Sequence, residues 1–333
     1  MAYSKMASTT TKMWFKITQV GNIDYNYIDL NQALSAVNRR SYRQATNVAV
    51  QNVTFYAQGP GVLPGSPVPK MNAYLMTIPK TWAADNATTM AFEHWKDQRA
   101  EILKETPSLK SRWSDFKIFM DQWHVSRGFA NNLRPQYFNI DPAASGMLVN
   151  SFGAGEWDAS NFVFPNETGV GPTQECTMHV VGDNLPAAPF DGSTTSIGLI
   201  QAYAQQRALP HSPSPVAQAG YSSGPWSDIL LHDDMSEEVT ENLVEENNEP
   251  PYQYAHYPGG DTNANALELS AFAVMQNFGD DNAISVSRSS PFICPFGLLK
   301  INTEVIDAVG YTFFVEVDVV PGNSKGILAE RGV

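Results

Sequence analysis

The sequence predicts an all-β protein made of antiparallel strands, and three observations carry that reading. The segment TFFVEVDVV, from Thr312 to Val320, alternates, with Phe313, Val315, Val317 and Val319 on one side and Phe314, Glu316, Asp318 and Val320 on the other. Period-two alternation in β-branched and aromatic residues is the signature of a half-buried strand. A set of further short segments shares this character, giving about eight main strands in all. Turn-forming stretches separate them, the most obvious being GPGVLPGSPVP from Gly59 to Pro69, which holds too many Gly and Pro for a regular element.

In chain order, WFKITQ and DYNYIDL (Asp24 to Leu30) read as strands, followed by a helix of about three turns over LNQALSAVNRRSYRQ, where Leu30, Leu34, Val37 and Tyr42 keep helical spacing. NVAVQNVTFYA, from Asn47 to Ala57, is a strand whose apolar parity slips between Val50 and Val53, as a β-bulge requires. NAYLMTIP (Asn72 to Pro79) is the next strand. From Thr89 to Glu105, Phe92, Trp95, Ile102 and Leu103 mark a helix that Pro107 ends. WSDFKIFMDQWHV satisfies both periods, and its shortness favours a strand. NFVF (Asn161 to Phe164) and QECTMHVVG (Gln174 to Gly182) follow, the latter with Cys176, Met178 and Val180 inward and Glu175, Thr177 and His179 outward. FGLLKI, from Phe296 to Ile301, is expected to pair with the final strand through a turn containing Asn302 and Gly310.

The region 183–291 differs in kind. It holds a helix over SIGLIQAYAQQRAL, a Pro and Ser loop, an acidic run and the segment PPYQYAHYPGG, and is expected to be mostly surface loop. Eight strands interrupted by one long insertion fit an antiparallel eight-stranded jelly roll with a few short helices. An immunoglobulin-like sandwich matches the strand count but usually has shorter connections, and a double jelly roll is the other alternative. The expected organisation is an N-terminal arm, 1–16, then one jelly-roll domain, 17–333, carrying 183–291 as an insertion between late strands.

Composition limits function. Of the 333 residues only 17% are charged, against about 25% in an average soluble domain. So few charges suit either a polar uncharged surface or one covered by other subunits. The net charge of -13 makes the chain a poor general binder of nucleic acid. The two cysteines, Cys176 and Cys294, form no CxxC pair and suit a reducing compartment. No apolar run is long enough to cross a membrane as a helix, and the first residues lack a secretory signal, so synthesis in the cytosol is expected.

No enzymatic motif survives inspection. GYSSG, from Gly220 to Gly224, matches G-x-S-x-G with Ser222 as nucleophile, but a PSPVAQ loop precedes it and Pro225 follows, where the chemistry requires a strand and a helix. The histidines His94, His124, His179, His211, His232 and His256 show no metal-ligand spacing, and Gly59, Gly61 and Gly65 no phosphate-loop pattern. The acidic run Asp233 to Glu249 offers oxygens that suit calcium, but the EF-hand spacing and its central Gly are missing. No cofactor is expected. Arg39, Arg40 and Arg43 form the densest basic group, and on the expected helix Arg39 and Arg43 share a face at i, i+4. They suit contact with phosphates or with carboxylates of a neighbouring subunit, and the acidic chain favours the second.

The segments IDLNQALSAVNRRSYRQ, DFKIFMDQWHVSRGFANNLRP, GEWDASNFVFP, NEPPYQYAHYPGG and FICPFGLLKI resemble, in order and spacing, capsid proteins of small circular single-stranded DNA viruses known from environmental sequences. The resemblance implies a jelly-roll major capsid protein whose copies assemble into an icosahedral shell, a virion, around a DNA genome. It further implies a host surface receptor as partner and no membrane. Many such proteins begin with an Arg-rich arm, whereas this chain offers only Lys5, Lys12 and Lys16 there, so weak DNA binding is expected. The competing reading is a jelly-roll carbohydrate-binding module or lectin, with Tyr252, Tyr254 and Tyr257 stacking on sugars.

Overall fold

The computed structural model describes residues 9–56, 70–111, 114–141, 146–165, 173–186, 193–208, 251–253, 256–260, 263, 265–275, 286–305 and 312–333. The loop Gly59 to Pro69, Ser222 and the acidic run Asp233 to Glu249 lie outside them.

The first elements are β1 (Lys12–Thr18), β2 (Ile23–Asp29), α1 (Leu30–Asn38), β3 (Thr46–Tyr56) and β4 (Met71–Thr77). Next come α2 (Trp82–Glu105), β5 (Phe119–Asp121), α3 (Gln122–Arg127), β6 (Gln136–Asp141), β7 (Gly146–Ser151), β8 (Phe162–Pro165), β9 (Thr173–Val181), β10 (Ser196–Gly198) and α4 (Leu199–Ala208). The chain ends with β11 (Glu268–Met275), β12 (Val286–Arg288), β13 (Phe292–Cys294), β14 (Leu298–Val305), β15 (Thr312–Val319), β16 (Pro321–Gly322), β17 (Gly326–Ile327) and β18 (Ala329–Arg331).

The protein is mainly β, and its two main sheets are antiparallel. One sheet has the order β12-β3-β15-β1-β6-β7, with β13 and β18 also on β3; the other has the order β11-β4-β14-β2. The pairings are nested. β1 pairs with β15, β2 with β14, β3 with β12 and β13, and β4 with β11. The inner faces of the two sheets meet in a single apolar core that includes Phe15, Val53, Phe55, Phe313, Val315 and Val317 from the first and Ile28, Leu75, Met275, Leu299 and Ile301 from the second. Matching phase on adjacent strands explains why: Phe15 lies across from Val315, and Val315 across from Phe55, so one parity of each strand faces inward.

The β15 alternation is as expected, and both of its faces are buried, Glu316 and Asp318 included. Their carboxylates meet Lys12 at 3.3 and 3.5 Å. The bulge in β3 is present: Asp318 pairs with Asn52 and Val319 with Val50, so Gln51 is left over.

Several expectations are corrected. β14 does not pair with β15; it lies in the other sheet, between β2 and β4, because its apolar parity is needed on the opposite wall of the core. α1 ends at Asn38, with Arg39 in the left-handed conformation (φ 55°), since Ser35 Oγ accepts from the Tyr42 amide and turns the chain back. α2 begins at Trp82, not Thr89: its first turns bury Ala83, Ala84, Ala87 and Ala91, small residues that leave no large apolar stripe. The ambiguous segment is split, with three strand residues and then α3, started by Asp121 accepting from the His124 amide at 2.8 Å. His179 is fully buried, not outward. Within 183–291 the described residues include regular elements: β10 and α4 lie there, and β11 completes the second sheet along β4. Nor is 1–16 simply an arm, because β1 begins at Lys12 and buries Met13 and Phe15.

The long excursion between β4 and β11 builds a further layer. Its small sheet, β10-β9-β5 with β8, packs with α2 and α4 around Phe116, Ile118, Phe162, Val180 and Ile200, a cluster that also takes in Tyr27 and Leu298 of the second main sheet.

Candidate functional site

Two clefts lie on either side of the loop Phe152–Asn161, and they differ in charge. The first, of about 480 Å³, is lined by Arg39, Arg40 and Arg134, with Glu156 as its one carboxylate. The second, of about 570 Å³, is lined by Glu101, Asp115, Glu156 and Asp158 against Arg99 and Lys117.

A single buried carboxylate organises the first cleft. Asp29 caps α1, accepting from the amides of Asn31 and Gln32 at 3.0 Å. Its other oxygen accepts from Gln44 Nε2 at 3.0 Å and from Trp157 Nε1 at 2.8 Å. Helix start, returning chain and dividing loop are thus tied to one group. Burial raises its pKa to about 6, held back by these four donors.

The three arginines singled out by sequence do not act as a unit. Arg39, exposed at the end of α1, makes no hydrogen bond or ion pair among the described residues. Arg40 donates to Thr9 Oγ1 at 3.3 Å and to the Lys325 carbonyl at 3.5 Å, while Lys325 Nζ donates to the Ser41 carbonyl. Arg43 lies past the helix end and reaches the other way, its Nε 4.0 Å from Asp115 Oδ1 in the second cleft. The helical i, i+4 face expected for Arg39 and Arg43 therefore does not exist. Arg134, which stands apart from other bases in the sequence, joins Arg39 and Arg40 only because the chain returns there after α3.

In the second cleft Asp115 is 8% exposed, and its Oδ2 has no hydrogen-bond partner. Burial pushes the carboxyl pKa up, with Lys117 and Arg43 pulling it back. Lys117 Nζ sits 4.9 Å from the Trp157 ring centroid, so the dividing loop is anchored from both sides. Asp158 is exposed and makes no ion pair among the described residues.

A separate polar cluster under the second main sheet holds the remaining histidine chemistry. Asp121 accepts from Tyr27 Oη and Lys300 Nζ, both at 2.7 Å. His124, stacked on Tyr27 at 4.4 Å, accepts from the Met120 amide at Nδ1 (3.2 Å), which leaves Nε2–H to donate to Asn132 Oδ1 at 2.9 Å. Burial lowers the His124 pKa to about 4. The cluster lines neither cleft and reads as a structural joint between the second sheet and the excursion layer. Among the described residues no group of three or more His, Cys, Asp or Glu is placed to hold a metal ion.

Of the expected sugar platform, Tyr252 and Tyr257 pack on each other at 4.8 Å, and Tyr254 lies outside the described residues. No helix is long and apolar enough to cross a membrane among the described residues. No protein-family model, curated protein or solved structure matches the chain.

Proposed function

We propose that the chain is a jelly-roll major capsid protein, a non-enzymatic subunit whose copies assemble into a closed icosahedral shell around a DNA genome. The observation that carries this reading is the nested pairing of β1 with β15, β2 with β14, β3 with β12 and β13, and β4 with β11. β1 to β4, and again β13 to β15, alternate between two facing sheets, which supports a ribbon wrapped around a core as in a jelly roll. Jelly rolls of this kind serve shells and lectins alike. The resemblance of the spaced segments to single-stranded DNA virus capsid proteins favours the shell. So does the outer side of the second sheet, where Ile23 of β2 and Phe272 of β11 are 64% and 63% exposed.

In this reading, binding is the mechanism. Each subunit covers uncharged and apolar surface of its neighbours through many modest contacts, closed by symmetry. DNA is held weakly, and Arg39, Arg40 and Arg134, which line the first cleft together, are the basic groups offered to phosphates or to a neighbour's carboxylates.

Sedimentation velocity with negative-stain electron microscopy of the purified protein tests the proposal. Uniform closed particles in the megadalton range are expected. A stable small oligomer with affinity for an immobilised glycan panel would replace this reading by the lectin one.

A further inference from the structure

We infer that the first cleft seats one nucleotide of a single DNA strand, its phosphate on Arg39 and Arg134 and its base on the apolar floor between α1 and Phe152. The inference rests on the reading that the chain encloses a DNA genome, and it names the place and manner of contact.

The cleft is basic. Arg39, Arg40 and Arg134 line it against Glu156 alone. Behind the lining, Asp29 is taken up by its four donors, and Lys325, whose ammonium donates to the Ser41 carbonyl beside Arg40, adds a further cation. Arg39 is exposed and makes no hydrogen bond or ion pair among the described residues, and Arg134, also exposed, donates to the Ala130 carbonyl at 3.3 Å with only one of its nitrogens. Neighbouring residues of a helix point about 100° apart. Arg39 and Arg40 line one cleft because Arg39 takes the left-handed conformation and ends α1. Gly or Asn usually fills that position at a helix end, so an arginine kept there carries backbone strain, of the kind that gathers at ligand sites.

The floor of the cleft is apolar. Ala33, Ala36, Leu133, Pro135 and Phe152 form it, and the half-buried Phe152 ring is braced by Tyr137, with centroids 5.1 Å apart and planes at 64°. A Cβ added at Gly153 or Gly155 would meet nothing within 4 Å, so the loop passes here as bare backbone with room beside it. At about 480 Å³ the cleft is of a size that takes a small ligand or one unit of a chain. A neighbour's carboxylate would use the guanidiniums and leave this floor empty. A nucleotide uses both, its phosphate on the planar arginine forks and its base on the apolar and aromatic surface, the combination by which single strands are held. A duplex keeps its bases stacked inside and offers the cleft only phosphates.

Fluorescence anisotropy of a labelled oligothymidylate with the purified protein tests this. The single strand is expected to bind more tightly than a duplex of the same length, and about tenfold more tightly than an abasic strand, the worth of seating one base on an apolar or aromatic surface. Arg39→Ala with Arg134→Ala is expected to weaken binding and to reduce the slope of log affinity against log salt by about 0.7 per arginine. Ala36→Trp fills the floor without changing the charge, and is expected to bring the intact strand down to the affinity of the abasic one. Lys96→Ala, at a lysine of α2 paired with Glu93, is expected to change neither affinity nor slope. Circular dichroism checks that each variant keeps the native spectrum, and the abasic comparison on the wild type needs no variant at all. Equal binding of intact and abasic strands, or an equal loss from Lys96→Ala, overturns the inference and makes the contact a diffuse one. So does an arginine variant that binds the strand as wild type does but loses self-association in sedimentation, which would make the cleft a site for a neighbour's carboxylates. Micrographs of the same protein separate this inference from the proposed function. Closed particles whose strand binding ignores the bases and both arginines remove the nucleotide seat and keep the capsid reading, whereas base-dependent binding at the cleft of a protein that never closes into shells does the reverse.

Discussion

Acid should weaken this fold through two buried histidines, and the size of the effect follows from their hydrogen bonds. His124 and His179 are both fully buried. The Met120 amide donates to His124 Nδ1, and His179 Nε2 faces the Asp183 carbonyl at 2.9 Å while Nδ1 meets Ser196 Oγ at 2.8 Å. Each ring is thereby fixed as the neutral Nε2–H form, and adding a proton at Nδ1 of His124 turns an acceptor toward another N–H. Burial holds both pKa values down at about 4, from 6.5. Between those pH values the unfolded chain binds protons that the folded rings refuse, so stability falls as pH drops from 6.5 toward 4 and changes little from these groups below that. At about 1.4 kcal/mol per pH unit, each ring costs about 3 kcal/mol over the window. Asp29 works in the opposite sense: its folded pKa of about 6 lies above the unfolded value, so protonation between pH 6 and 4 relieves about 3 kcal/mol. The net loss is roughly 3 kcal/mol, a large share of an ordinary domain's stability. Urea unfolding at pH 7.0, 6.0, 5.0 and 4.5 measures it. His124→Asn keeps an acceptor for the Met120 amide but cannot be protonated. It should be less stable at pH 7 by about 2–4 kcal/mol through the lost ring, yet should lose almost no further stability over the same acid range. A variant that keeps the full acid loss would refute the argument; His179→Asn repeats the test if the first variant unfolds.

Val317 lies fully buried on β15 between Met13 and Val53, so Val317→Asp should cost several kcal/mol and yield insoluble protein, and soluble, assembling Val317→Asp would show that this core is not the stabilising one. Deleting Met1 to Thr11 removes the Thr10 contacts to the Asn38 side chain at 2.8 and 3.0 Å and the Thr11 carbonyl's bond to the Val319 amide. A loss of about 1–3 kcal/mol in denaturant is expected, with particles still forming and oligonucleotide binding unchanged; abolished encapsidation with a folded subunit would restore an arm-driven mechanism. Trp157→Phe removes one donor from buried Asp29, and should cost about 1–3 kcal/mol and raise the Asp29 pKa further, seen as a shift to higher pH in the carboxyl titration by NMR.

The sequence by itself determined the strands whose side chains keep one parity: β15, β1, β2, the bulged β3 and β9 all show it, because a strand with one face in a core must place an apolar residue at every second position. The turn of phase at Gln51 was legible for the same reason. Partner choice was not. FGLLKI carries a parity that suits either sheet, and only the need to fill the opposite wall of the core decides that β14 pairs with β2 and β4. Elements built on small residues were silent too, as in the alanine-lined start of α2 and the alternation of Ala271 and Ala273 in β11. The candidate site was legible only as a cluster of arginines. Its geometry depends on Asp29, Gln44 and Trp157, residues 15 and 128 positions from that carboxylate, and no local pattern records that they meet. The two clefts along one loop are likewise a product of tertiary structure: Arg134 and Asp115 acquire their neighbours only when the excursion between β4 and β11 folds back onto α1, since a charged surface is assembled from residues distant in sequence.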